Sequence, residues 1–64
     1  MIFRYRDFYG CSATISVRPD KTARLIIYDS HGWMIVNKEY YSLRGARIAM
    51  GRYSDSWYSR RDVV

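Results

Sequence analysis

The stretch Ser12-Ala13-Thr14-Ile15-Ser16-Val17-Arg18-Pro19-Asp20-Lys21-Thr22-Ala23-Arg24-Leu25-Ile26-Ile27-Tyr28 decides the fold. In its first arm Ala13, Ile15 and Val17 point one way while Ser12, Thr14, Ser16 and Arg18 point the other, the period of two expected of a strand with one buried face. Pro19-Asp20-Lys21 follows. Proline presets φ for the second position of a tight turn and aspartate bonds the nearby backbone, so the chain reverses here. In the second arm Ala23, Leu25 and Ile27 share a face, and the β-branched content is high. The result is a hairpin with one apolar side that needs a cover.

Working outward toward the N-terminus, residues 2 to 9 alternate, with Phe3 and Tyr5 on one side and Arg4 and Arg6 on the other, before Gly10 ends or bends the strand. Toward the C-terminus, Asp29-Ser30-His31-Gly32 reads as a second hairpin turn in which Gly32 can take positive φ. Trp33 to Tyr41 returns as a strand with two mixed faces, Trp33, Ile35 and Tyr41 on one and Met34, Val36 and Tyr40 on the other. The pattern does not name its inner face, and a second cover, a helix or a partner, would account for the mixture. Ser42 is a good helix N-cap, and a helix is expected from Leu43 to about Tyr53. At about 100° per residue, Leu43, Ala46, Ala49, Met50 and Tyr53 form a packing stripe, with Arg44, Arg47 and Arg52 opposite it around Ile48 and Gly51. Gly45 and Gly51 each cost the helix about 1 kcal/mol relative to alanine, which makes it dependent on docking to the sheet. The expected architecture is α+β, a three- or four-stranded antiparallel meander with one helix, 43–53, on one face. Trp57 to Val64 adds a last strand or an arm.

With 64 residues there is room for one core, so residues 1–64 form a single domain. Hydrophobic residues at 48% and aromatics at 17% are too abundant for a segment that stays disordered. Eleven Lys and Arg against six Asp and Glu give a net charge of +5, and nine of the eleven are arginine. Arginine's planar fork grips phosphate or carboxylate in two places and stacks on rings, so this bias favours a polyanion or an acidic protein surface over charge kept for solubility alone. Cys11 is the single cysteine, which excludes an internal disulfide and a cysteine-based metal cluster and fits a reducing, cytoplasmic setting with Cys11 as a small buried hydrophobe. The N-terminus lacks the apolar run of a signal peptide, and no stretch approaches the ~18 to 20 apolar residues of a bilayer span, so a soluble protein is expected.

Catalytic patterns are missing from the chain. His31 is the sole histidine, which excludes sites needing two imidazoles within one chain. The serines lie in no nucleophile elbow, the six carboxylates are scattered, and Gly45 and Gly51 lack the setting of a phosphate loop. Neither an enzyme nor a cofactor is expected. What remains is binding. Arg44, Arg47 and Arg52, helped by Arg60 and Arg61, can neutralise phosphates. Rings such as Tyr28, Tyr40, Trp57 or Tyr58 can stack on bases, each contact worth about 1 to 3 kcal/mol. The same residue types are enriched at protein hot spots. A protein-interaction module, an inhibitor of a nucleic-acid-handling complex anchored by Trp57 or Tyr58, is therefore the alternative. A homodimer joined through edge strands or an uncovered sheet face is a third reading. The plainest reading makes the helix arginines a solvated face.

The run from Tyr28 to Met50, with its Ser30-His31-Gly32 turn, Ile35 in the following strand, Tyr41-Ser42 and then Ala46 in a helix, resembles part of the unit found in small bacterial YegP-like proteins. That resemblance covers about a third of the chain and implies sheet-then-helix topology. In size and plan the chain also resembles small phage-encoded proteins, including compact basic anti-CRISPR inhibitors that lay a few-stranded sheet against one helix. This second likeness implies a partner in the nucleic-acid channel or guide-binding surface of a CRISPR effector.

Overall fold

The computed structural model describes residues 1–59. The elements run β1 (Ile2–Arg6), β2 (Ser12–Val17), β3 (Ala23–Tyr28), β4 (Met34–Tyr40), α1 (Leu43–Gly51) and β5 (Tyr58–Ser59). The strands form one antiparallel sheet in the order β4-β3-β2-β1-β5, and α1 packs on one face of it over β2, β3 and β4, an α+β fold. The decisive hairpin lies at its centre, with Ile15 opposite Leu25, Ala13 opposite Ile27 and Val17 opposite Ala23. The tail adds a two-residue strand, β5, which pairs Tyr58 with Arg6 and Ser59 with Tyr5. Residues 60–64 lie outside the described residues.

One device closes all three hairpins. The Asp7, Arg18 and Asp29 N–H groups donate to the carbonyls of Cys11, Thr22 and Trp33 at 3.1, 2.9 and 2.9 Å. The N–H groups of Gly10, Lys21 and Gly32 turn back to the carbonyls of Asp7, Arg18 and Asp29 at 3.4, 2.8 and 3.0 Å. This is the three-residue hairpin loop whose last position is left-handed, and Gly10, Lys21 and Gly32 sit there with φ of 91°, 73° and 88°. Lys21 holds that conformation against the clash of its Cβ with the following carbonyl. Lys21→Gly is therefore expected to stabilise the fold by about 0.5 to 1 kcal/mol, the relief of the clash outweighing glycine's extra unfolded-state entropy. A higher urea midpoint at unchanged slope is the expected reading, and an equal or lower midpoint would contradict it.

An aspartate braces each loop. Asp7 Oδ1 accepts from the Tyr9 and Cys11 N–H groups at 3.0 and 2.8 Å, and Asp29 Oδ1 accepts from those of His31 and Trp33, both at 2.9 Å. Asp20 Oδ1 accepts from the Thr22 hydroxyl and N–H at 2.7 and 3.0 Å, which holds its carboxyl below the usual carboxylate range. The β1–β2 and β3–β4 loops touch at one end of the sheet, where a Cβ on Gly10 would come within 3.2 Å of Ser30 Cβ.

The core consists of Ala13, Ile15, Ala23, Leu25, Ile27 and Val36 from the sheet with Ala46 and Met50 from the helix, flanked by Leu43 and Ala49. The expected stripe holds except at Tyr53, which is 57% exposed because α1 ends earlier than the periodicity suggests. Arg52 and Tyr53 donate their N–H groups three residues back, to Ala49 and Met50 at 3.2 and 3.1 Å, and Trp57 Nε1 also donates to the Met50 carbonyl, at 2.7 Å. At the other end Ser42 caps the helix, its Oγ accepting from Gly45 N–H at 3.1 Å. The mixed faces of β4 resolve as well. Val36 faces the core, whereas Met34 and Ile35 stay half-exposed on an edge strand, beside an irregularity in the pairing between Ile27 and Tyr28. Cys11 is half-buried and not fully enclosed, and burial together with the Asp7 carboxylate pushes its thiol up. Among the described residues no helix is long and apolar enough to cross a membrane.

Candidate nucleic-acid interface

The helix arginines separate into two environments. Arg44 and Arg52 are exposed. Arg47 is exposed as well but leans toward the sheet: its Nε donates to Tyr5 Oη at 3.3 Å and its guanidinium lies 5.2 Å from the centre of the Phe3 ring. The cause is geometric. Arg47 follows Ala46 by about 100°, which places it at the flank of the buried stripe. That flank overhangs β1, the strand α1 leaves uncovered, so the guanidinium settles against the Phe3 ring and the Tyr5 hydroxyl.

The two aromatic candidates of the tail also divide. Trp57 is half-buried against the core and tied to the helix end through Met50, a structural position. Tyr58 is exposed, with its ring 5.5 Å from that of Phe8. Tyr40 packs against the core with Lys38 Nζ 5.6 Å from its ring centre, while Tyr28 stands half-exposed on the opposite side of the sheet. Arg60 and Arg61 lie outside the described residues.

A second cationic surface emerges on the sheet face that α1 leaves open. Cross-strand partners share a face, so the pairings Arg4–Thr14–Ile26–Asn37 and Tyr58–Arg6–Ser12–Tyr28 run as rows across it. The middle strand β2 contributes only short hydroxyl side chains, Ser12, Thr14 and Ser16, all half-buried between taller neighbours. Its face is thus a shallow trough about 13 Å long, with Arg4 and Arg6 rising on one side and Arg24, Ile26 and Tyr28 on the other. Both halves of this signal were present in the alternation of residues 2–6 and 12–16. Alternation gives the direction of these side chains and not the strand that stands beside them.

Three carboxylates are bound into turns, whereas Glu39 stands on the open face beside the Arg24 wall of the trough. Asp7 and Asp29 are bound into turns at one end of the sheet and Asp20 into the turn at the other. Glu39, on edge strand β4, pairs with Arg18 at 2.8 Å and approaches Arg24 at 3.9 Å, while Arg24 Nη1 donates to Asn37 Oδ1 at 2.6 Å. Among the described residues Arg4, Arg6, Arg44 and Arg52 meet no carboxylate within 4 Å. Also among the described residues, no group of three or more His, Cys, Asp or Glu side chains could hold a metal ion. Comparison of the chain with protein-family models, with curated proteins and with solved structures finds no match.

Proposed function

We propose that this protein is a small non-catalytic binding module that holds nucleic acid through its phosphate backbone, with little sequence preference. The observation that carries this reading is the segregation of charge. The carboxylates of Asp7, Asp20 and Asp29 brace turns at the two ends of the sheet, and Glu39 is paired with Arg18 and Arg24, while Arg4, Arg6, Arg44, Arg47 and Arg52 are exposed and meet no carboxylate within 4 Å among the described residues. Cations kept only for solubility would have no reason to be so separated, whereas a polyanion is bound by releasing its counterions to such a surface. Cytoplasmic residence belongs to the same proposal.

Fluorescence anisotropy with labelled single- and double-stranded oligonucleotides tests it. If two to four arginines engage phosphates, affinity should fall roughly ten- to a hundredfold between about 50 and 200 mM salt. Failure of both oligonucleotides to bind at about 50 mM salt would overturn the reading. One observation favours a protein partner instead: Phe8, Tyr9 and Trp33 stand 72% or more exposed on the two touching loops, and aromatic side chains anchor protein interfaces. Under that reading, inhibitor-like in kind, a specific protein would stay bound after nuclease treatment. The open edge of β4 offers the homodimer reading its surface, and the mass in solution decides it.

A further inference from the structure

We infer that the ligand is single-stranded nucleic acid and that it lies along β2 on the open sheet face, an inference that rests on the nucleic-acid reading and specifies its site. Three features of the face converge. The floor of Ser12, Thr14 and Ser16 is low and carries hydroxyls, so a backbone can approach the sheet closely and find hydrogen-bond partners. Arg4 and Arg6 leave β1 on the same side, two residues apart and thus about 7 Å from each other, and meet no carboxylate among the described residues. Arg24 on the far wall is partly occupied by Asn37 and Glu39, which makes β1 the main electrostatic wall.

The third feature distinguishes a single strand from a duplex. The row Tyr58–Arg6–Ser12–Tyr28 places one half-exposed ring on each side of the trough's end, about 14 Å apart across three strand spacings. Phe8 extends the Tyr58 side, its ring 5.5 Å from that of Tyr58. A duplex could use the arginines, but its bases are stacked on each other and hidden from these rings. Unpaired bases can leave the trough and stack on Tyr28 and Tyr58 while the phosphates stay with Arg4 and Arg6, the combination of charge and ring platform that suits single strands. The helix face has exposed rings only beyond its two ends, at Tyr41 and Tyr53, and no low floor between them, since Ile48 stands exposed between Arg44 and Arg52.

The test is anisotropy with a labelled thymidine oligonucleotide of about ten nucleotides, within the usual range of such sites, against a duplex of equal length. The single strand is expected to bind the tighter of the two. Thr14→Phe fills the trough without changing charge and should weaken single-strand binding about tenfold or more, whereas Thr14→Val, of equal size, leaves the trough open, removes one hydroxyl and should cost only about two- to fivefold. Tyr28→Ala should cost about 5- to 150-fold, the equivalent of one lost base–ring stack. Arg4→Glu with Arg6→Glu should weaken binding far more than Arg44→Glu with Arg52→Glu, with thermal melts showing that every variant is folded. If the helix pair abolishes binding while Thr14→Phe and the β1 pair leave it intact, the proposed site is wrong and the nucleic-acid reading stands. Equal or tighter duplex binding together with a silent Tyr28→Ala overturns the single-strand assignment. If neither oligonucleotide binds, both proposals fall together.

Discussion

Trp57→Ala should lower the stability of the domain by about 3 kcal/mol, the largest single loss expected from any residue of the tail. Two interactions disappear at once. The indole covers the side of the core beside Met50, and its Nε1 donates at 2.7 Å to the Met50 carbonyl, which at the end of α1 also accepts the Tyr53 N–H at 3.1 Å. A domain of this size has roughly 3 to 10 kcal/mol in total, so the variant would stand close to its unfolding threshold. Trp57→Phe separates the two contributions, since it keeps most of the ring contact, drops the hydrogen bond and should cost about 1 kcal/mol. Urea unfolding of the three proteins reads both. If Trp57→Ala were as stable as the parent, Trp57 would be free to act as an interaction anchor, and the structural position assigned to it would be wrong.

Trp57 also shows where sequence reasoning reaches its limit. Its identity and exposed surroundings in the chain, Asp55-Ser56 before it and Tyr58-Ser59 after it, give no period from which a face could be assigned. Only the long-range pairing of β5 with β1 turns Tyr58 to the open face and leaves Trp57 on the core side. The central hairpin was legible because its pattern is local: alternation over six residues, a proline-led turn, then alternation again. Helix α1 was legible from Ser42 and its stripe, yet its last turn was not, because Arg52 and Tyr53 close back on Ala49 and Met50 in a manner side-chain periodicity does not record. The mixed pattern of β4 had a cause outside the strand itself, its place at the edge of the sheet.

The arginines illustrate the same division at the level of the site. An alternating strand announces that Arg4 and Arg6 face away from Phe3 and Tyr5, so their direction was readable. That they overlook a row of hydroxyls was not, because the neighbour of β1 is fixed by register, with Arg4 opposite Thr14 and Arg6 opposite Ser12. For Arg47 the exposure was readable and the neighbours were not. A helical wheel treats the sheet beneath as continuous, but α1 leaves β1 uncovered, and a cation at the flank finds the Phe3 ring and the Tyr5 hydroxyl there. A long cationic side chain can cover apolar surface with its stem while its charge stays in water.

Asp7→Ala should cost about 2 to 4 kcal/mol, and Asp29→Ala only about 1 kcal/mol, although the two residues hold equivalent places in equivalent turns. Each carboxylate accepts two backbone N–H groups, at 3.0 and 2.8 Å for Asp7 and at 2.9 Å twice for Asp29, so bond count and length predict equal losses. Burial breaks the equality. Asp7 is 5% exposed, beneath a C-terminal segment that reaches the turn where Ser56 Oγ accepts from Phe8 N–H at 3.2 Å. With the carboxylate removed, the Cys11 N–H is left in a half-buried setting where water replaces it poorly, whereas the bonds to Asp29 are exposed and water can take its place. Asp7→Asn retains an acceptor oxygen and should recover part of the loss. Chemical unfolding of the three variants beside the parent gives the comparison, and equal destabilisation by Asp7→Ala and Asp29→Ala would mean that the turn alone, and not its enclosure by the tail, sets the worth of these aspartates.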